Sequence, residues 1–479
     1  MLEILSHKYL KRFVSVNMSD WQNIYSFGRI ISLSLRKREN YLINSEIFLT
    51  TKWYPALLIS LLLNKDDAIL VLSKENFGDL FDYLPLLKDI GLNFSINSNE
   101  ILLASHKIQI LTLDELISTN KDAKITKHTI VFDGAENLKK DLKNIFRISL
   151  NKNSWLENLR NNHNFYFEKT YNNLKKKFFL RALPNKNYVY LSDSEIRFFK
   201  YFFSKYYHLS TKFLNFKNVF QSNWATWVIL DYENFEWILI AEPLDEFIHI
   251  KELLANNHNM FLSSLRKDFY YRNYLNSHNL NINKAINFQS DFPEKKFSIY
   301  LPNRQMLPNN PFFYNLIIKQ VHKLVLFRSG FNLILCDDEV LKLKLATNLA
   351  SKYGKQILLD NMPCKNNQIL CSSYQWWIRN SKSSQLPNRI ILPLLPIPNM
   401  SEPFTQINVS YKNNQSEDWF REFLLPETIE TLDKVISPLR RNAGELLILD
   451  GRIKNRQWGR DIIAMLQPSD IIPHIFPFD

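Results

Sequence analysis

The sequence predicts an α/β protein with two parallel sheets and a helical, aromatic-rich segment between them. The first observation is a series of short apolar runs in the first 150 residues, separated by stretches with a helical pattern. The second is a similar series that begins near residue 296. Continuous apolar strands that alternate with helices are typical of parallel sheets covered on both faces. The third is a change near residue 151, where long polar and aromatic helical stretches begin.

The individual elements follow from length and β-branched content. The first series has predicted strands at 40–44, 68–73, 107–113 and 129–133, and helices at 53–63 and 76–90. A hairpin is predicted at 226–232 and 236–243, followed by a strand at 259–265 that leads into a helix. The second series has predicted strands at 297–302, 331–336, 356–360, 389–396 and 445–450, and helices at 311–327 and 338–353. We therefore divide the chain into a first domain (1–150), a helical insertion (151–222), the remainder of the first domain (223–295) and a second domain (296–479).

The charge of the chain favours an anionic partner. Its 479 residues contain 60 Lys or Arg and 47 Asp or Glu, a net charge of +13. A basic surface of this size is typical of nucleic-acid-binding proteins. A general enrichment in Lys and Asn explains the same charge, because the basic residues are spread along the chain instead of forming one tail.

Cysteines and apolar runs predict a protein of a reducing, aqueous compartment. The three cysteines, Cys336, Cys364 and Cys371, form no CxxC pair and have no His pair at zinc spacing, so no metal site is expected. The longest apolar run, 55–63, has nine residues, whereas a membrane span needs about 20. The expected location is cytoplasmic, without a signal peptide and without membrane association.

The insertion contains one candidate nucleic-acid surface. A capping box from Ser192 to Glu195 predicts a helix start, and the stretch 197–220 that follows is both aromatic and basic. Its rings could stack on bases while its lysines neutralise phosphates. The alternative is a packed core, because Ile196, Phe199 and Phe203 share one helical face. The candidate nucleic-acid-binding lysines are Lys200, Lys205 and Lys217.

The stretch "TIVFDGAENL" (129–138) carries a family resemblance. It is similar to the acidic motif of the DinG/XPD type of superfamily-two DNA helicases, here of bacterial type, which reads D-E-A-H followed by Asn-Leu. The resemblance implies that Asp133 would hold the magnesium of ATP. Gly134 stands where the family has the Glu that positions water, and Glu136 stands at the His position. ATP and magnesium are thus the implied cofactors, provided that the nucleotide site still works.

Further segments resemble the same family and imply two RecA-like motor domains. They are 237–265 with its Ser263-Ser264-Leu265 ending, 301–313, 389–403 and 424–466. The family's arginine motif reads 434–441 here, so Pro438 replaces one arginine and Arg441 aligns with the arginine that would reach the γ-phosphate. The four cysteines of the group's iron–sulfur cluster are missing before Cys336, so no cluster is expected.

The phosphate-binding loop of the family departs most from its pattern. The corresponding segment, 42–62, contains no glycine, and its Thr51 and Lys52 are vestiges of the motif. Bulky and β-branched residues do not take the positive-φ conformations that such a loop uses. The sequence therefore favours a helicase homologue that binds nucleic acid, expected to be single-stranded DNA, with weak or lost ATPase. The alternatives are an active, divergent ATP-dependent DNA helicase and a protein-interaction scaffold on the helicase fold.

Overall fold

The structure is a computed structural model. The residues that it describes are 2–17, 21–156, 164–184, 186–220, 223–265, 272–273, 275–276, 278, 280–288, 295–303, 305–326, 330–361, 367–381 and 385–472. Cys364 lies outside these residues. Most of the predicted helix that follows 259–265 also lies outside them. No helix within the described ranges combines the length and the apolar character that a bilayer span requires.

The first sheet has eight strands among the described residues, in the order β12-β1-β11-β6-β2-β5-β4-β3. The strands are Tyr41–Asn44 (β1), Ala68–Val71 (β2), Ser95–Asn97 (β3), Glu100–Leu102 (β4), Lys107–Leu111 (β5), Thr129–Asp133 (β6), His258–Ser263 (β11) and Lys284–Asn287 (β12). Pairing is parallel from β12 to β5, and β4 and β3 add an antiparallel edge. All four predicted strands of the first series are present.

Helices cover both faces of this sheet. They are Leu2–Asn17 (α1), Ile24–Lys37 (α2), Tyr54–Leu63 (α3), Asn76–Phe81 (α4), Tyr83–Asp89 (α5), Leu113–Asp122 (α6), Leu138–Phe146 (α7) and Lys251–Ala255 (α12). Successive residues of β1 illustrate the two faces, because Tyr41 and Ile43 belong to one core cluster and Leu42 belongs to the other. An apolar strand without polar alternation is thus explained by burial on both sides.

A second, four-stranded antiparallel sheet belongs to the insertion. It contains Ile148–Leu150 (β7), Tyr188–Tyr190 (β8), Trp224–Asp231 (β9) and Glu236–Pro243 (β10), in the order β7-β10-β9-β8. Its helices are Lys152–Leu156 (α8), Asn164–Arg181 (α9), Asp193–Tyr206 (α10) and Thr211–Val219 (α11). The predicted hairpin is confirmed, but it pairs with β7 and β8 instead of joining the first sheet. The insertion therefore contains this sheet as well as its helices, and it extends beyond the predicted range 151–222 because β7, β9 and β10 belong to the same sheet.

The second domain contains a seven-stranded sheet that is parallel throughout the described residues. Its strands, in the order β15-β16-β14-β17-β18-β13-β19, are Phe297–Tyr300 (β13), Asn332–Leu335 (β14), Ile357–Leu359 (β15), Ile369–Ser372 (β16), Arg389–Leu392 (β17), Glu445–Ile448 (β18) and Ser469–Ile472 (β19). Its helices are Phe313–Leu326 (α13), Glu339–Tyr353 (α14), Tyr374–Asn380 (α15), Pro403–Asn414 (α16), Leu425–Asn442 (α17), Arg452–Asn455 (α18) and Gly459–Met465 (α19). Two parallel-sheet domains, as predicted, thus flank one insertion.

Candidate functional site

Asp133 lies at the carboxyl end of β6, in the middle of the first sheet. Ligands of open parallel sheets bind at this edge, so the position is suitable for a site. The Tyr54 hydroxyl donates to Asp133 Oδ2 at 3.5 Å, and Asn76 Nδ2 donates to the same oxygen at 3.3 Å. Burial and the neighbouring Asp133 carboxylate raise the pKa of Tyr54 far above its ordinary value, so Tyr54 remains a neutral donor.

Gly134 takes a left-handed backbone conformation, with φ at +68° and ψ at +38°. It begins a short 3₁₀ turn, Ala135–Asn137, that turns the chain into α7. Side chains other than Asn and Asp rarely adopt this conformation. The turn after Asp133 therefore favours a glycine at this position.

Glu136 is buried and faces the end of β11. The backbone N–H of Ser264 donates to its Oε2 at 3.1 Å, and the Ser264 hydroxyl donates to its Oε1. Asp133 and Glu136 are therefore close in the chain but have different partners. The Glu136 carboxylate joins two segments that both resemble helicase motifs, 129–138 and 259–265.

The segment between β1 and α3 folds as a compact turn. Glu46–Leu49 form a 3₁₀ helix, which is capped by Ser45 Oγ accepting from the Ile47 N–H at 3.3 Å. Every residue from 45 to 53 is described, and none has a positive φ. The rings of Phe48 and Trp53 are buried edge to face, with their centroids 5.1 Å apart. The turn therefore contributes to the core of the first domain.

Thr51 and Lys52, the vestiges of the phosphate-binding motif, have local partners. Thr51 Oγ1 and the Tyr83 hydroxyl are 3.2 Å apart, and the Lys52 N–H donates to Thr50 Oγ1 at 3.4 Å. Neither residue is among the described residues that line the cleft beside Asp133. Helix α3 follows this segment and has Pro55 in its first turn. Because proline has no backbone N–H, the end of the helix that would face a phosphate has one donor fewer.

A cleft of about 560 Å³ separates the first and second domains next to Asp133. Arg441 lines it from α17 of the second domain, so that Asp133 and Arg441 face one cavity from opposite domains. Its described charged lining consists of six carboxylates and three cations, namely Glu46, Asp114, Asp133, Glu136, Asp141 and Asp433, with Lys434, Arg440 and Arg441. Asp433 is paired with Arg440 at 2.7 Å. Burial raises the pKa of Asp141 above its ordinary value.

Lys434 crosses this cleft and binds the turn after Asp133. From α17 its Nζ donates to Asn137 Oδ1 at 3.0 Å and to the Glu136 carbonyl at 3.5 Å, and it also donates to Glu430 within its own helix at 2.8 Å. Burial opposes the charge of Lys434, but Glu430 and Glu136 outweigh it and raise the pKa of the amine. Lys434 therefore remains charged and joins the two domains.

Two more lysines of α7 reach the second domain. Lys139 Nζ lies 3.1 Å from Glu427. Lys143 Nζ lies 3.0 Å from Glu242 of the insertion and 3.1 Å from the ring centroid of Phe404 in α16. Helix α7 thus contacts the insertion and the second domain together, and the cleft is bordered by fixed ionic contacts.

The predicted nucleic-acid lysines lie apart from this cleft, because Lys200 and Lys205 belong to α10 and Lys217 belongs to α11 of the insertion. The capping box of α10 is confirmed. Phe199, Phe202, Phe203, Phe213 and Phe216 form a core around Trp155 and Trp237. These phenylalanines therefore form a packed core, which is the alternative to a nucleic-acid surface. Any exposed stacking surface consists of other rings.

Sequence reasoning missed Lys434 and Tyr54 as members of the site. Lys434 and Arg441 are seven residues apart and so share one helical face, which was an available signal. Nothing in the sequence indicated that the Tyr54 hydroxyl reaches Asp133, because that contact depends on how α3 packs. Within the described ranges, no group of three His, Cys, Asp or Glu residues has an arrangement that could hold a metal ion.

Comparisons with known proteins identify the fold. No protein-family model and no curated protein matches the sequence. An XPD helicase structure matches over 93% of this chain and 98% of its own, with a TM-score of 0.58 and 12% identity. An apo XPD structure matches over 93% and 99%, with a TM-score of 0.56 and 12% identity. Xpd4 of S. tokodaii matches over 92% and 97%, with a TM-score of 0.59 and 12% identity. The predicted fold of two RecA-like domains is confirmed, and the XPD helicase structures have the same fold. Membership of that helicase family, the DinG type and the bacterial origin stay predictions.

Proposed function

We propose that this protein binds nucleic acid through a helicase fold in which ATP hydrolysis is weak or lost. The geometry of residues 45–53 carries the proposal. A phosphate cradle needs backbone N–H groups that converge on the ligand, usually through glycines. Here the turn is capped by Ser45 and anchored by the buried rings of Phe48 and Trp53. Reshaping it would expose that core.

The charges of the cleft also argue against a triphosphate. Its described lining has twice as many carboxylates as cations, and the like charges of carboxylates and phosphates repel each other strongly in a partly buried site. Asp133 could still ligate a cation, but Tyr54 and Asn76 donate to its Oδ2. Gly134 leaves the position of the water-positioning Glu without a carboxylate. ATP and magnesium therefore do not fit the residues present.

The nucleic-acid part of the proposal rests on the fold and the charge. The chain has the fold of XPD helicases and a net charge of +13. A polyanion gains affinity for such a surface by counterion release. We infer that the ligand is single-stranded DNA, which is therefore the first ligand to test.

An active, divergent helicase is the second candidate, because Asp133 and Arg441 line one cavity. Two measurements on the purified chain separate the candidates: binding of a fluorescent ATP analogue, and ATP turnover with and without single-stranded DNA. We expect no saturable binding and no DNA-stimulated turnover. Turnover that disappears in Asp133→Ala but persists in the exposed-site control Asp470→Ala would overturn the loss of ATPase. Absence of DNA binding at low salt would overturn the nucleic-acid part and favour the scaffold.

A further inference from the structure

The helical part of the insertion contains most of the excess positive charge. Residues 164–219 include eleven Lys or Arg and three Asp or Glu, a net charge of +8 against +13 for the whole chain. This segment is less than one eighth of the sequence. The charge is thus concentrated on one structural unit, although it forms no terminal tail.

Helix α10 presents three of these positive charges on one face. Arg197, Tyr201 and Lys205 follow each other at intervals of four residues, with Lys200 beside them, and all four are exposed. The opposite face is buried in the insertion core. Both acidic residues of α10 lie in its first turn, so the exposed face from residue 197 onward carries only positive charge. It extends about 12 Å along the helix, given a rise of 1.5 Å per residue.

Tyrosine rings lie between these cations. Tyr166, Tyr201 and Tyr207 are 48%, 65% and 40% exposed. Lys205 Nζ lies 5.3 Å from the ring centroid of Tyr206, which lies 6.4 Å from that of Tyr166. A hydrogen bond to Tyr206, together with the nearby Tyr201 and Tyr166, raises the pKa of Lys205. The rings and the ammonium group therefore form one patch.

A second ring and lysine extend the patch. Lys217 Nζ of α11 lies 3.8 Å above the ring of Tyr207. Within the described part of the chain, Lys200, Lys205 and Lys217 form no ion pair with an acid. This distinguishes them from Lys139 of α7 and Lys434 of α17, whose charges are compensated by Glu427 and Glu430. Uncompensated cations beside exposed rings suit a ligand that brings both phosphates and flat apolar faces.

We propose that the exposed face of α10, with Arg197, Lys200, Tyr201 and Lys205, and the adjoining Tyr166 and Tyr207 bind single-stranded nucleic acid. The inference rests on the proposed function for its class of partner and adds the location and the mode of binding. Single strands expose base faces on which tyrosines stack, whereas a duplex covers them. The phosphates contact the lysines and the arginine, which contribute affinity without reading sequence. The deeper phenylalanines of the insertion core support the surface without contacting the ligand.

The test measures fluorescence anisotropy of labelled dT and rU oligomers of about 20 nucleotides and of a duplex of equal length, over a range of salt starting at about 50 mM. The charge variant is Arg197→Ala/Lys200→Ala/Lys205→Ala. Its matched control is Lys65→Ala/Lys121→Ala/Lys355→Ala, which removes three exposed lysines outside the insertion. The ring variant is Tyr201→Ala, with Tyr201→Phe as the conservative change and Tyr232→Ala as an exposed tyrosine of the same insertion.

We expect the charge variant to bind at least tenfold more weakly and to lose about two units of salt slope, at about 0.7 for each phosphate contact removed. Tyr201→Ala is expected to bind about 5- to 150-fold more weakly with an unchanged salt slope, because a stacked base contributes about 1 to 3 kcal/mol. Tyr201→Phe and both controls are expected to bind within about twofold of the natural chain. Circular dichroism checks that each variant is folded.

The outcomes separate the two proposals. If the natural chain binds the oligomers and the charge variant binds equally well, this surface is overturned while the proposed function stands. If the natural chain binds none of them at low salt, the proposed function itself fails. Equal affinity for duplex and single strands, with no effect of Tyr201→Ala, overturns the stacking mode. Tighter binding of dT or of rU identifies the kind of strand that the surface prefers.

Discussion

Lys434 of the second domain donates to the side chain of Asn137, in the turn that follows Asp133, across a distance of 3.0 Å. This contact bridges the cleft on the side of the acidic motif. Motor domains that respond to a nucleotide need an interface that can open and close. Here the interface has a partly buried, charged contact of its own, so the domains are expected to remain associated.

Replacing Lys434 with Met is expected to weaken the association of the domains. The change removes hydrogen bonds to Asn137 and Glu430, and a hydrogen bond to a charged group contributes about 2 kcal/mol. We expect chemical denaturation, followed by tryptophan fluorescence and by circular dichroism, to show two separated transitions. Lys412→Met is the control, because its partners Glu417 and Glu422 lie in the same domain. Coincident transitions in Lys434→Met would contradict a role in holding the domains together.

Much of the fold was predictable because its strands are buried on both faces. The strand 129–133 and its terminal Asp133 follow directly from an apolar run that ends on a polar residue. The start of α10 was predictable for a local reason, the capping box of Ser192 and Glu195. Short edge strands such as Ser95–Asn97 could not be predicted, because their residues are exposed and carry no apolar pattern.

The parts that depend on tertiary packing were not predictable. The sequence pattern predicts Ile196 on the buried face of α10 together with Phe199 and Phe203, but Ile196 is 37% exposed whereas Phe202 is buried. The buried face of α10 therefore includes Phe202 in place of Ile196, because the Phe202 ring stacks on Trp155 with the ring centroids 4.7 Å apart. The hairpin was recognised from local pattern, but its sheet partners β7 and β8 have three residues each and were missed.

Restoring the missing glutamate is expected to fail. Gly134→Glu places a side chain at φ +68°, and the left-handed conformation costs about 1 to 2 kcal/mol for a residue with a Cβ. Space is not the obstacle, because the nearest atom to an added Cβ is Asn137 Nδ2 at 3.6 Å. We expect a lower melting temperature and no ATP turnover. Gly134→Asn is the control, since Asn tolerates this conformation, and it should lose less stability than Gly134→Ala in thermal melts.

Trp53→Ala tests whether the turn after β1 contributes to the stability of the hydrophobic core. Trp53 is fully buried against Phe48 and Tyr54, with ring centroids 5.1 and 4.3 Å away. The substitution is expected to lower the free energy of unfolding by about 3 to 5 kcal/mol, as for other buried tryptophans. Phe312→Ala, at an exposed aromatic residue, should change it by less than about 0.5 kcal/mol. A stable Trp53→Ala chain that binds an ATP analogue would show that the turn retains a phosphate-binding role.

His258 predicts how stability depends on pH. It begins β11, where its Nε2 lies 2.8 Å from the Glu39 carbonyl and its Nδ1 lies 3.2 Å from Thr129 Oγ1. Burial lowers its pKa below the ordinary 6.5, despite the contact with Glu39. The unfolded chain therefore binds a proton more readily than the folded one. Stability is complete above about pH 6.5 and falls as the pH decreases toward the lowered pKa.

We expect this residue to make the folded chain less stable at about pH 5.5 than at about pH 7.5, because the unfolded chain binds the proton more readily than the folded one. Denaturant titrations at the two pH values measure it. His258→Gln has no titrating group and should lose that part of the pH dependence, although the chain becomes less stable at both values. His208→Gln, at an exposed histidine, should retain the natural pH dependence. An unchanged pH dependence in His258→Gln would show that other buried groups, such as His249 with its similarly lowered pKa, cause the acid sensitivity.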